Sequence, residues 1–315
     1  MAYSVENWQS VLEIDLAVVQ SFGAFSPGGR FLAAADTNTI EVRESRRGGI
    51  VATVEMIAVT SLAVSADGTL LVAADDEGSI NAWSLTPNAV LWSDKLVLPP
   101  PSYAEIVYDV QFAGDGGLAV ASKPAGVNNT LVGIWPLNAG TRTRPSPLWQ
   151  SIMLNSDYHS FSPSSDGSHI LLVTDEGYWL LQPNNERSFI DGFFDSGENA
   201  VVAFSPNGRL AAAIEPEGGW IYKVGDHEVV EIAEIGMLDE PTDVSWSPDG
   251  EALLITTEDG LSLCTRTGDE HEFTYQGVLT DFPGFEAAAF LDATTIAAKR
   301  ADTLTVYAMD GGGRP

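Results

Sequence analysis

Thr242 to Arg266 reads Thr-Asp-Val-Ser-Trp-Ser-Pro-Asp-Gly-Glu-Ala-Leu-Leu-Ile-Thr-Thr-Glu-Asp-Gly-Leu-Ser-Leu-Cys-Thr-Arg. Asp243-Val244-Ser245-Trp246 alternates as a half-buried strand, Ser247-Pro248-Asp249-Gly250 has turn chemistry, and Ala252-Leu253-Leu254-Ile255-Thr256 is an apolar run of buried-strand length. Glu258-Asp259-Gly260 turns again, Leu261-Ser262-Leu263-Cys264 makes a third strand, and Glu272-Phe273-Thr274-Tyr275 supplies a fourth. Four short antiparallel strands joined by tight turns form one structural unit.

The unit recurs along the chain. Its first turn, preceded by a bulky apolar anchor, reappears as Phe25-Ser26-Pro27-Gly28-Gly29, Val64-Ser65-Ala66-Asp67-Gly68 and Phe204-Ser205-Pro206-Asn207-Gly208. Looser copies stand at Phe112-Ala113-Gly114-Asp115-Gly116 and Phe161-Ser162-Pro163, with an eroded one at Phe290-Leu291-Asp292. The anchors Phe25, Val64, Phe112, Phe161, Phe204, Trp246 and Phe290 lie 39, 48, 49, 43, 42 and 44 residues apart. That period matches four-stranded propeller blades. The expected fold is therefore all-β: a seven-bladed β-propeller of four-stranded antiparallel blades, one domain over residues 1–310 with a flexible tail at 311–315.

The last blade has only three strands, around Glu286–Phe290, Thr295–Ala298 and Thr303–Met309, whereas an alternating segment, Val11-Leu12-Glu13-Ile14-Asp15-Leu16, precedes the first inner strand without a blade of its own. Pairing residues 11–16 with blade seven would supply its missing strand and leave no open edge at the seam.

Gly78-Ser79-Ile80-Asn81-Ala82-Trp83-Ser84-Leu85 resembles the third-strand motif of WD40-repeat proteins, and the pattern of the whole chain is similar to theirs. The departures are specific. Trp83-Ser84, Trp135-Pro136, Tyr222-Lys223 and Tyr307-Ala308 stand where Trp-Asp would, and no Gly-His precedes an inner strand. The resemblance implies a platform that binds proteins or peptides on a loop-rich face. Other propeller families with a Ser-Pro-Asp-Gly turn share that turn.

Fifteen Lys and Arg against 44 Asp and Glu give a formal charge of −29 on a chain whose 44% apolar content demands a real core. A field of that sign disfavours nucleic acid and anionic membranes, whose binding depends on clustered cations; the densest groups are only Arg43, Arg46, Arg47 and Lys299-Arg300. A single cysteine, Cys264, excludes an intrachain disulfide, and Met1 to Glu6 lacks a basic segment followed by an apolar run, so a cytoplasmic protein is expected.

Hydrolytic, redox and phosphate-cradling motifs are absent, the four histidines are scattered, and no cofactor is expected. Cys264, Trp83, Trp135, Trp246 and Phe204 read as core. The strongest polar signal is carboxylate in the turns between second and third strands: Asp75-Asp76-Glu77, Asp175-Glu176, Glu215 with Glu217, and Glu258-Asp259. An acidic protein fills its turns with Asp and Glu in any case; as a functional ring they would attract a basic partner or a divalent cation. Asp191 to Glu198 only superficially evokes a calcium loop, because it misses the regular ligand spacing.

The blade-to-blade crossings reach the same face and are unusually apolar. The expected partner-binding residues are Leu98, Tyr103, Phe193, Phe194, Met237, Leu238 and Phe282, with Asp76 and Asp259 at the rim. The alternative is a propeller enzyme, a metal-assisted or acid/base hydrolase, with Asp109, Asp157, Asp243 and Glu286 at the channel mouth. A third possibility is a structural subunit that orients a larger assembly.

Overall fold

The structure, a computed structural model, describes residues 8–16, 22–85, 88–95, 104–114, 117–124, 126–137, 147–183, 186–190, 199–216, 218–225, 229–236, 240–257, 259–267, 273–280 and 284–309. Its strands form seven antiparallel four-stranded sheets. Blade one holds β2 (Phe22–Phe25), β3 (Phe31–Ala35), β4 (Thr39–Glu44) and β5 (Ile50–Glu55); blade two holds β6 (Val59–Val64), β7 (Leu70–Asp75), β8 (Ser79–Leu85) and β9 (Asn88–Lys95). Blade three comprises β10 (Ala104–Ala113), β11 (Gly117–Pro124), β12 (Asn129–Pro136) and β13 (Trp149–Leu154), and blade four β14 (Tyr158–Pro163), β15 (Ile170–Thr174), β16 (Gly177–Leu181) and β17 (Arg187–Ile190). Blade five is β18 (Val201–Phe204), β19 (Leu210–Glu215), β20 (Gly218–Val224) and β21 (Val229–Ile235). Blade six is β22 (Pro241–Trp246), β23 (Ala252–Thr257), β24 (Gly260–Arg266) and β25 (Phe273–Thr280).

Blade seven joins the two ends of the ring. β26 (Ala287–Asp292), β27 (Thr295–Arg300) and β28 (Thr303–Met309) are completed by β1 (Trp8–Asp15), which pairs antiparallel with β28 from Trp8 opposite Met309 to Asp15 opposite Thr303. The segment expected to close the ring does so, starting three residues earlier than its alternation suggests. Leu16 follows the strand, and its N–H donates to Asp302 O at 2.6 Å.

The Ser-x-Asp-Gly turn is explained by its hydrogen bonds. Ser247 Oγ donates to Asp249 at 2.6 Å and accepts the Ala252 N–H at 2.9 Å, so one side chain bridges both limbs of the turn. Ser65 with Asp67 and Leu70 repeats the arrangement, as does Ser205 with Asn207 and Leu210. Gly250 closes the turn at φ 74°, a conformation in which a Cβ would be strained.

In blade four the turn falls two residues later than the sequence motif suggests. Phe161 pairs with Leu172 and Pro163 with Ile170, so β14 runs through Ser162-Pro163, and the turn is Ser164-Ser165-Asp166-Gly167. Ser164 Oγ donates to Asp166 at 2.7 Å and accepts the His169 N–H at 2.9 Å. Pro163 therefore occupies the anchor position held elsewhere by Phe25, Val64, Phe204 and Trp246.

Each second strand is buried on both faces, as in β3, β15 and β23, which accounts for their continuous apolar runs. The core is divided into seven clusters, one between each pair of neighbouring blades. Trp83, Trp135, Trp246, Phe204 and Cys264 all lie in it, and burial pushes the Cys264 thiol up to about 12, the behaviour of a small apolar core residue.

Candidate functional site

Each inner strand runs from the face bearing the crossings and second-to-third turns down to the Ser-x-Asp-Gly turn. Two bonded connections show the upper elements meeting. Asp76 N–H donates to Ala58 O at 3.1 Å, and Asp175 N–H donates to Asp157 O at 3.2 Å, so each turn is tied to the segment entering its inner strand. Asp175 reciprocates by accepting Asp157 N–H at 2.8 Å and Ser156 Oγ at 3.0 Å.

The turn carboxylates divide into two kinds. Asp75 accepts the N–H groups of Glu77 and Ser79 at 3.0 and 2.8 Å, and Asp36 accepts those of Asn38 and Thr39 at 2.7 and 2.6 Å. The Asn38 N–H bond leads in holding Asp36 below the ordinary carboxylate range. Asp76, Glu77, Asp157, Asp175, Glu176 and Asp259 are exposed. Glu215 departs from the expected acidic ring, because it is 3% exposed at the end of β19. Asp36 belongs to this face and was not singled out from sequence, since Asp36-Thr37-Asn38-Thr39 contains one carboxylate and no acidic run.

Leu98, Tyr103, Phe193, Phe194, Met237, Leu238 and Phe282 lie outside the described residues, as do Glu217, Glu258, the Asp191–Glu198 segment, His227 and His271.

Below the turns, inner strands are linked across the channel wall. β6, β10, β14 and β22 each carry a register irregularity near their start, between Val59 and Ser61, Val107 and Asp109, Tyr158 and Ser160, and Pro241 and Asp243. Such a bulge re-aims the residue that follows. Ser61 Oγ accepts Val110 N–H at 3.0 Å, Ser162 Oγ accepts Phe204 N–H at 3.1 Å, and Asp243 accepts Ala288 N–H at 3.3 Å. Inner-strand amides with no partner in their own sheet are thus satisfied by the preceding blade.

Asp109 is a node of this belt. Its carboxylate accepts Ser61 Oγ at 2.6 Å, Val110 N–H at 2.7 Å, Gln111 Nε2 at 3.1 Å and Tyr158 Oη at 3.3 Å, connecting blades two, three and four. Burial nevertheless holds its carboxyl above the ordinary carboxylate range, and burial first, then the charge of Asp109, lifts the Tyr158 hydroxyl well above its ordinary value. Tyr108 and Tyr158 stack beside it, centroids 4.9 Å apart and planes 8° apart. Asp243 is pushed up to about 6, mainly by burial. Glu286 pairs with the Lys299 ammonium and accepts Ala301 N–H at 3.1 Å.

Of the four carboxylates of the enzyme alternative, Asp243 is close enough to Asp109 to feel its charge. Asp109 and Glu286 are held by other side chains, Asp157 is exposed among the turns, and among the described residues no three His, Cys, Asp or Glu side chains are placed to hold a metal ion. His169 sits in the opposite-face turn, its Nδ1 2.7 Å from Ser168 Oγ, while His159 lies at the bulge of β14.

The ring, its closure and its turn chemistry define a seven-bladed propeller of antiparallel blades. Residues 55–84, the second blade's core, match the family described as WD domain, G-beta repeat, and the chain folds as a WD40-type propeller. Among solved structures it is similar to the β-propeller domain of Myceliophteria thermophila Cps50 (Swd1), with a TM-score of 0.70, 13% identity, and coverage of 96% of this chain and 99% of that one. No curated protein matches. WD40 propellers commonly serve as protein-interaction scaffolds.

Proposed function

We propose that the protein is a non-catalytic platform that recognises a protein or peptide of basic character on the face bearing the second-to-third turns. The observation that carries this reading is the partition of exposed charge. Asp76, Glu77, Asp157, Asp175, Glu176 and Asp259 are exposed on that face with no exposed Lys or Arg among the described residues, whereas at the first and third turns, on the other face, the exposed Arg30, Arg46, Arg47, Arg187 and Arg209 are interspersed with Asp67, Asp166, Glu186, Asp249 and Glu251. Of the described cations at the ends of second strands nearest the acidic turns, Lys299 is fully buried, Arg300 lies over the Phe285 ring, and Lys123 is half-buried. A basic ligand is therefore steered toward one end of the channel. The commitment of Asp109 and Glu286 to inter-strand bonds supports binding over catalysis.

The apolar crossing residues Leu98, Tyr103, Phe193, Phe194, Met237, Leu238 and Phe282 are assigned as anchors, and Asp76 and Asp259 as the charged rim. Interfaces concentrate their energy in such anchors, each costing roughly 2 kcal/mol or more when truncated. Partners cross-linked in the native source and identified by mass spectrometry should be lost from Tyr103→Ala/Phe193→Ala/Phe194→Ala at unchanged melting temperature. Asp76→Asn/Asp259→Asn should weaken capture mainly at low salt. Retained capture by a folded triple variant would move binding to another surface; an unfolded one would make the aromatic residues packing.

A further inference from the structure

Seven junctions hold the ring, and strand register makes them directly comparable. Lys299 lies against Gly23, two places before the anchor of blade one, and the register within each blade identifies the equivalent positions at the other junctions. They are Ala35 and Leu62, Ala74 and Val110, Ala121 and Phe161, Val173 and Val202, and Ile214 and Val244, each couple within one apolar cluster, with Thr256 and Ala288 at the sixth. These six hold small or uncharged side chains. The seventh, between blades seven and one, sets a lysine with no exposed surface against a glycine.

The two residues require each other. A Cβ on Gly23 would collide with Lys299 Cδ and lie 2.6 Å from Cε, so the aliphatic stem of Lys299 fills the space that Leu62 or Val110 fills elsewhere. Its ammonium emerges at Glu286, which is 38% exposed at the start of β26. The rest of this junction is also different. Its apolar cluster is Leu16, Leu32, Ala34, Ala297 and Leu304, five buried residues among those described, whereas the other six junctions have 10 to 15. Arg46 on blade one pairs with Asp292 on blade seven at the opposite face, both side chains well exposed.

We propose that the junction between blades seven and one is the ring's opening joint, where the native molecule parts first, held by a buried ammonium in place of apolar filling. The physical reason is the balance of solvation. Parting an apolar junction exposes hydrocarbon to water and gains nothing in return, whereas parting this one rehydrates Lys299 and recovers part of the cost of burying its charge. Local openings of native proteins follow such differences in free energy. The joint adjoins the pairing of β1 with β28 that closes blade seven, and no residue of blades two to five takes part in it.

Hydrogen exchange of the intact chain, followed by mass spectrometry of its peptides, tests the proposal. Amides of β2 and β26 to β28 should exchange about tenfold faster or more than those of β10 to β20. Lys299→Met fills the space beside Gly23 without a charge and leaves Glu286 solvated; it should slow exchange of the joint about tenfold and leave blades three to five unchanged. If that variant does not fold, Gly23→Val/Lys299→Ala, which recreates the pairing at the junction of blades two and three, should give the same local slowing. Equal exchange across all seven blades, or a folded variant whose joint exchanges as fast as the native one, would overturn the proposal.

Discussion

Blades three and six place an aspartate at the same point of their inner strands, one residue past the bulge, and surround it differently. Asp109 accepts two side-chain donors and a backbone amide within blades two and three, plus a tyrosine hydroxyl from blade four. Asp243 accepts backbone amides only, Val244 at 2.9 Å and Ala288 at 3.3 Å. Both are raised by desolvation; hydrogen bonds led by Ser61 and Gln111 counter it at Asp109, and those of the Ala288 and Val244 amides counter it at Asp243, where the negative charge of Asp109 adds a smaller rise. A position in a repeat fixes where a side chain points, and its neighbours decide whether a charge there is an asset. At blade three the carboxylate organises a network; at blade six it is a burden at neutral pH.

The largest effect should come from breaking the closure, because Asp243 hands its bond to blade seven whereas Asp109 serves blades two to four. Deleting residues 1–16 removes β1, opens the edge of β28 and loosens Ala288, so the blade-six interaction should fail before the blade-three network does. We expect aggregation, or a fall in melting temperature of roughly 10 °C. An unchanged melting temperature in a monomeric truncated protein would show that β1 does not hold the ring.

Next in size is the direct comparison of the two carboxylates. Asp109→Ala removes the acceptor of the Ser61 and Tyr158 hydroxyls, while the Val110 N–H keeps Ser61 Oγ and Gln111 keeps the Phe161 carbonyl, and should cost about 3 kcal/mol in chemical denaturation. Asp243→Asn removes the charge but keeps only one acceptor where Oδ1 serves the Val244 N–H and Oδ2 the Ala288 N–H; relief of the buried charge should outweigh loss of the weaker, 3.3 Å bond and stabilise by no more than about 1 kcal/mol at pH 7. Equal losses from the two substitutions would mean that the networks are equivalent.

The pH dependence sharpens the contrast. Asp243 moves from 3.8 unfolded to about 6 folded, so its favourable contribution is complete below 3.8, shrinks as pH rises through that window, and is gone above about 6. The advantage of Asp243→Asn should therefore fade between pH 6 and pH 4. Turn carboxylates act in the opposite sense. At Asp166 burial pushes upward, but bonds from Ser168 and Ser164 outweigh it and hold the group at about 2, so its contribution is present above 3.8 and is lost as pH falls toward 2. Asp166→Ala should cost about 1 kcal/mol at pH 7 and little at pH 2.

The blades, their number and their closing strand were legible because each rests on local chemistry: a Ser-x-Asp-Gly turn, an apolar second strand, and an alternating segment with no blade of its own. The shifted turn of blade four was not, since Ser162-Pro163 imitates the motif and only the pairing of Pro163 with Ile170 reveals the true one. The bulges before Asp109 and Asp243 and the meeting of Gly23 with Lys299 were equally hidden, because they depend on register between strands. The exposed acidic turns were readable as composition. That Asp75 and Asp36 are consumed in holding their own turns, while Glu215 turns inward, was not.

The smallest expected effect is that of salt, and it separates the short-range difference between blades three and six from the field both share. A formal charge of −29 opposes compaction through long-range repulsion. Raising sodium chloride from about 0.01 to 0.15 M shortens the screening length from about 30 to about 8 Å, so the melting temperature should rise by a few degrees. Asp243→Asn and the native chain should rise almost in parallel, because desolvation of Asp243 is local and unscreened, while the contribution of distant charges is common to both. A flat curve for the native chain would mean that the carboxylates are compensated by neighbouring cations or bound ions. A mutant curve markedly flatter than the native one would mean that repulsion from Asp109 and the acidic face, rather than burial, dominates the cost of charging Asp243.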